Sequence, residues 1–387
     1  MRKYSNIQWL VAPIFLMGIC IGFSEGSTIV VPDHYETIQE AVSAASNGDT
    51  IFVRLGTYHE TIDVVGFTSL AIIGEVGANE EKPLIDGTGL NSHAGFRVFS
   101  DGLTIEGFEI KNSRRGIWFY GSYNKFKNNF IHHTDIGIET NLYEGEGYSN
   151  FNLVADNVIE NLNEFGISFH ANENAEPVAG NIIVGNKLSS IHGGIDILNG
   201  YYNSIVDNVL EDAGPITLFN NNPRTSTNEN TIAHNSVTRL TGDWWGVDGI
   251  YVCATKGVAK GNTIVSNKIN DLTAISSYWG IGIFVHSLDE GSVHNNTIAH
   301  NSINGINGQM LWGAGIAIVK WGISADNNNI HHNNIRRING SSPEIYGIWV
   351  SGGAKNSVHH NTVDKSTVVI PYFDTGIDNK VFANSWQ

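Results

Sequence analysis

A unit of the form [IV]-x-x-N-x-[IVL], a loop, and then G-I-x-[ILVF] recurs along most of the chain from about residue 100. Its asparagine returns at Asn129, Asn157, Asn186, Asn208 and onward to Asn361, and Gly107 holds the same place one unit earlier. Its second half returns from Gly116-Ile117 through Gly249-Ile250 to Gly376-Ile377, at spacings of 21 to 34 residues. Each apolar-x-apolar piece reads as a short strand with alternating faces. One such unit cannot bury its own apolar face, so successive units must stack into a solenoid of parallel strands. The asparagine is expected in the left-handed conformation at one bend, its amide bonding to its copies above and below. The glycine is expected to permit the next corner. The fold class is therefore all-β, a parallel β-helix of roughly twelve coils.

The solenoid needs a cover at each end. Residues 36–46 place Ile38, Ala41, Val42 and Ala45 at helical spacing, which predicts an N-terminal capping helix. Val381, Phe382 and Trp386 are expected to seal the last coil. Arg2 and Lys3 precede an apolar run from Trp9 to Phe23, the layout of a secretory signal peptide ending near Gly26. At about 15 residues the run is short for a bilayer span of about 20. We expect a signal segment over 1–26 and one domain over 27–387, its first part (27–50) the cap. The expected location is secreted, cell-surface or periplasmic, and no later stretch could span a membrane. Whether the segment is cleaved or anchors the chain stays open.

Composition narrows function. With 41% hydrophobic residues the chain can bury a core, and its net charge of −16 argues against nucleic acid as a partner. Two cysteines cannot form a disulfide scaffold.

The repeat, together with TIQEAVSAASNGDTIFVRLGTYHETI (residues 37–62), resembles the right-handed parallel β-helix proteins of the pectate lyase-like superfamily, which includes NosD-type repeat proteins. That superfamily holds lyases, hydrolases, epimerases, esterases and non-enzymes, so the resemblance implies the fold more than the reaction. Gly56-x-Tyr58-x-Glu60 is similar to a segment of pectin methylesterases, without their later catalytic segments. The signature segments of polygalacturonases and pectate lyases are missing too.

The resemblance places the cleft along the sheet of G-I-x strands, and alternation supplies the outward positions. One column contains Arg97, Trp118, Glu139, Ser168, Asp196, Thr217, Tyr251, Phe284, Ala317 and Trp349. The next contains Phe99, Tyr120, Asn141, His170, Leu198, Phe219, Cys253 and His286. Arg97, Glu139, His170 and Asp196 form the candidate catalytic patch. Glu139 and Asp196, two rungs apart, suit an acid–base pair for inverting hydrolysis. His170 with Arg97 suits proton abstraction and charge neutralisation on a uronate. Phe165-Gly-Ile-Ser-Phe-His170 is also similar to the YG[FVI]DPH segment of mannuronan C5-epimerases, with Ser168 where that family carries its catalytic aspartate. Trp118, Tyr120, Trp245, Tyr251, Trp279, Phe284, Trp312 and Trp349 are the candidate substrate-binding residues, since flat rings suit the C–H faces of sugars. Those rings could equally stack on one another inside long loops.

Histidines crowd the turn asparagines at His234, His300, His331, His332 and His360. They would either form a metal ladder, as the NosD-type resemblance suggests, or stack as neutral rings; no cysteine or carboxylate accompanies them. Calcium is a further candidate cofactor from the resemblance, although no segment looks like a dedicated calcium loop. The leading expectation is a polysaccharide-active protein, a lyase or C5-epimerase on uronate-containing chains. A non-catalytic glycan-binding solenoid and a NosD-type periplasmic copper-site maturation factor are the alternatives.

Overall fold

The computed structural model describes residues 26–91, 93–142, 147–172, 174–243, 246–368 and 370–387. The expected signal segment, apart from Gly26, lies outside the described residues, as does Trp245.

Every coil contributes strands to three faces, and the strands pair in parallel throughout the described residues. The first face is a 14-stranded sheet that begins at Thr28–Val31 and ends at Lys380–Phe382. Its count exceeds the expected dozen because the cap and the C-terminus each add a rung. The other two faces merge into one 24-stranded sheet, since strands such as Val158–Ala171 turn the corner without a break. Inward residues form one continuous core, in which Ile105, Ile131, Ile167 and Ile197 are fully buried.

Asparagine holds two corners rather than one. The expected ladder stands: Asn157 Oδ1 accepts from Asn129 N at 3.0 Å and from Asn129 Nδ2 at 3.1 Å, and Asn157 in turn donates to Asn186. A second ladder runs five residues earlier, through Asn124, Asn152, Asn181, Asn203 and on to Asn379. Their side chains are almost wholly buried, and their amides also donate to strand carbonyls, as Asn157 Nδ2 does to Phe126 O at 2.9 Å. Burial without such partners would be costly.

Two conformational expectations are corrected. The left-handed residue is the one before each ladder asparagine, such as Asn128 (φ 53), Asp156 (φ 55) and His332 (φ 56), so that the next side chain turns into the stack. The repeat glycine is selected by space, not by φ. A Cβ on Gly116 would lie 2.5 Å from Ile131 Cγ2 and 2.7 Å from Gly137 O.

The capping helix, α1, spans Ile38–Ala44 and buries Ile38, Ala41 and Val42 over the first coil. Thr37 and Glu40 close its N-terminus as a capping box. Glu60 accepts from the Ile38 and Gln39 N–H groups, both at 2.9 Å, and Tyr58 donates to Arg54 O. The esterase-like segment is thus a brace for the cap. The expected C-terminal seal does not form as such. Val381 and Phe382 sit on the last rung with 42% and 49% exposure, and of the three only Trp386 packs against the core.

Candidate functional site

The outward columns are continuous in register. Asp63, Arg97, Trp118, Glu139, Ser168, Asp196, Thr217 and Tyr251 oppose one another rung by rung. Asn141, His170 and Leu198 run alongside. Each strand exposes alternate side chains, so the apolar inward set fixes which residues face out.

Within this face the charged groups form three pairs. Arg97 binds Asp63 Oδ2 at 2.6 Å, on the side away from His170. Arg115 Nε bonds Glu139, and both side chains are largely buried. The Arg115 guanidinium also lies 5.0 Å from the Trp118 ring centre, a cation–π contact. His170 Nε2 lies 2.5 Å from Asp196 Oδ2. Burial pulls the His170 pKa down. The Asp196 hydrogen bond and the Asp196 and Glu139 charges outweigh it, so the imidazole titrates above its ordinary value. Since a carboxylate only accepts, Nε2 carries the proton toward Asp196 and Nδ1 is left for a substrate.

Four buried polar atoms on these rungs have no hydrogen-bond partner among the described residues: Arg97 Nε, Trp118 Nε1, Ser168 Oγ and Asp196 Oδ1. They are half of the eight such atoms among the described residues. Beside them a groove of about 660 Å³ is lined by Phe67, Phe99, Tyr120, Tyr123 and Tyr148. Phe99 and Tyr120 stack at 4.9 Å and 10°, forming a flat floor.

The later rungs differ from expectation. Phe284 is fully buried and Trp349 is 9% exposed; with Ile281, Ala314 and Tyr346 they form a second apolar cluster on the outward side. Tyr251, Trp279 and Trp312 pack partly buried against it. A wall of exposed rings is therefore replaced by rings that cover one another. Trp321, 41% exposed, lies over Phe284 at 5.8 Å and His286 at 5.2 Å. Residues ahead of G-I strands, Trp279, Trp312 and Tyr346, and Trp321 just after one, carry the covering side chains.

Residues 78–210 match the family described as right handed beta helix region. Among solved structures, the complex of XylC with xylose shares 10% identity at a TM-score of 0.51, covering 92% of this chain and 85% of that one. The catalytic domain of a GH87 α-1,3-glucanase with nigerose shares 17% at 0.50, covering 85% and 68%. The alginate lyase from Paenibacillus sp. str. FPU-7 shares 13% at 0.44, covering 85% and 99%. No curated protein matches in sequence.

The fold is a right-handed parallel β-helix.

Asp63, Arg115 and Asp248 on this β-helix escaped sequence reasoning, whereas Cys253 and His286 oppose each other in the outward column expected of them but are buried. Asp63 precedes the first clear G-I unit, so its register was hidden. Arg115 sits just before Gly116, outside the strict alternation. His286 is nearly fully buried, with Nε2 2.8 Å from the Tyr251 hydroxyl, and burial lowers its pKa to about 4. Asp248 receives Trp279 Nε1 at 3.1 Å, yet burial pushes its carboxyl up to about 7. Cys253 is a buried free thiol pushed up to about 12, hence unreactive. Calcium takes oxygen ligands. Among the described residues the close trio of potential ligands is instead His300, His331 and His332, which does not fit that ion.

Proposed function

We propose that this β-helix acts on polysaccharide, as a lyase or C5-epimerase of uronate-containing chains, with His170 as the proton-transfer group. The observation that carries this reading is the His170–Asp196 pair set among unpartnered buried polar atoms beside an aromatic groove. Neutral His170 Nδ1 takes the C5 proton, and Asp196 stabilises the imidazolium formed at Nε2. The electron pair moves into the sugar carboxylate. It then either expels the O4 glycosidic oxygen, which takes the proton back from the His170 imidazolium, or returns to C5, which takes a proton from water on the opposite face while the imidazolium gives its own to solvent.

Charge neutralisation at the reacting sugar falls to Arg115 rather than Arg97. Both arginines are paired with a carboxylate, but Arg97 is held by Asp63 on the side away from His170, whereas Arg115 is held by Glu139, whose charge acts on His170. Glu139 then holds Arg115 in place, and Arg97 contacts a neighbouring sugar. Phe99 and Tyr120 supply a stacking surface. The complexes of XylC with xylose and of the glucanase with nigerose, on the same fold, support a saccharide ligand. The apolar run Trp9–Phe23 supports export, and no helix among the described residues is long and apolar enough to cross a membrane.

The test is incubation with a panel of polyuronates. Unsaturated ends or inverted C5 centres support the reading, whereas new reducing ends without either would point to hydrolysis and sink it.

A further inference from the structure

The histidines near the C-terminal turns form a second constellation, remote from the G-I face. His331 ends a strand of the 14-stranded sheet and His332 is the left-handed turn residue before Asn333. Their Nδ1 atoms stand 2.9 Å apart. One coil on, His359 and His360 repeat the arrangement, again with Nδ1 atoms 2.9 Å apart. The coils are in face-to-face register. His331 stacks on His359 at 5.1 Å and 5°, His332 on His360 at 4.9 Å and 2°, and His300 on His332 at 4.9 Å and 15°.

Stacking and one Nδ1–H···Nδ1 bond per pair would account for each pair alone. They do not account for a third nitrogen: His300, His331 and His332 each offer a ligand atom, all within 4.8 Å of one another. Two imidazole nitrogens bound to one ion at about 2.0–2.1 Å, at right angles, stand about 2.9 Å apart. The spacing of each pair is therefore that of two cis ligands. The second nitrogen of His359 is also occupied, since Nε2 lies 3.1 Å from Asn329 Oδ1. An amide oxygen only accepts, so Nε2 carries the proton and Nδ1 keeps its lone pair, the usual way a ligating imidazole is oriented.

We infer that His300, His331 and His332, with His359 and His360 stacked beneath them, bind one divalent transition-metal ion of the imidazole-preferring class. Imidazole at cis spacing suits tetragonal ions such as Cu2+ or Ni2+. The chain carries its own control. His132 and His133 form the same dipeptide with Nδ1 atoms 2.6 Å apart, but Glu109 takes His132 Nε2 and, among the described residues, no third histidine completes a trio there.

The experiment titrates the whole protein with Cu2+ by calorimetry and reads the bound ion by electron paramagnetic resonance. One site with at least three nitrogen ligands is expected. The doubly substituted His331→Gln/His359→Gln protein should bind at least tenfold more weakly, and His132→Gln/His133→Gln should bind as the parent does. Circular dichroism checks folding, and the exposed single change His300→Gln, which should drop one nitrogen from the spectrum, serves if the double variant does not fold. Equal affinity in the ladder variants, or loss of the site in the His132/His133 variant instead, overturns the inference.

Discussion

His170 Nε2 and Asp196 Oδ2 meet at 2.5 Å across adjacent rungs, so that one side chain from each of two coils makes a single acid–base unit. Their strands are 26 residues apart in sequence and are brought together only by the parallel register. Removing His170 as alanine should lower turnover on a polyuronate by about 10²–10⁴-fold. Asp196→Asn should cost less, because the imidazole stays but loses its orienting charge. Steady-state kinetics on both variants check this, and a His170→Ala protein with parental turnover contradicts it.

The same pair sets a pH dependence. With the folded pKa raised above the ordinary imidazole value, the neutral base accumulates only as pH rises through that pKa. The acid limb of kcat/KM should lie above about 6.5 and move down in Asp196→Asn. Stability runs the other way. The pair's contribution is fully present below the unfolded imidazole pKa and is lost as pH rises through the folded one. Denaturant melts of parent and Asp196→Asn across that window should converge toward alkaline pH.

Glu139 and Arg115 are largely buried partners, so breaking one strands the other. Glu139→Gln should lower stability by about 3 kcal/mol, measured by chemical denaturation. If Arg115 holds the sugar carboxylate, the variant should also show a raised KM.

Asp248 tests the covered part of the face. Its carboxyl is raised to about 7 by burial, so folding favours the protonated form, and stability falls as pH rises from the unfolded value toward 7. Asp248→Asn removes that ionisation while keeping an acceptor for Trp279 Nε1. It should be nearly neutral at about pH 3, already favoured at about pH 5, and more stable than the parent at about pH 8, by roughly 1–4 kcal/mol. Equal melts at pH 8 would show that the carboxyl ionises without penalty.

How much was legible follows from what is periodic. Asn129, Asn157 and Gly116-Ile117 repeat in register, so alternation placed Arg97, Glu139 and Asp196 in one column and His170 in the next. The ladder through Asn124, Asn152 and Asn181 was equally periodic, always five residues earlier, and was overlooked because loops vary beside it. What periodicity cannot supply is pairing. That Arg115 takes Glu139 and that Asp63 takes Arg97 depends on side chains leaning between rungs. The fate of the aromatic rings was hidden as well, since residues ahead of each G-I strand decide whether Phe284 and Trp349 face solvent or a second cluster.

The ladder makes a stability prediction of its own. Asn208 accepts two bonds from Asn186 and donates to Asn235 and to Ile183 O at 2.9 Å, all buried. Asn208→Ala should cost about 2–4 kcal/mol, since it strands the Asn186 donors on one side and removes the donor to Asn235 Oδ1 and Ile183 O on the other. A change under about 0.5 kcal/mol in a urea melt would contradict a structural role for the stack.

The most direct test of the central claim is nuclear magnetic resonance of a polyuronate incubated in deuterated water with the parent protein and with His170→Ala. The account predicts that the parent places deuterium at C5 or produces unsaturated ends, and that His170→Ala does neither. Chain cleavage with C5 untouched, or C5 chemistry undiminished in His170→Ala, would contradict it.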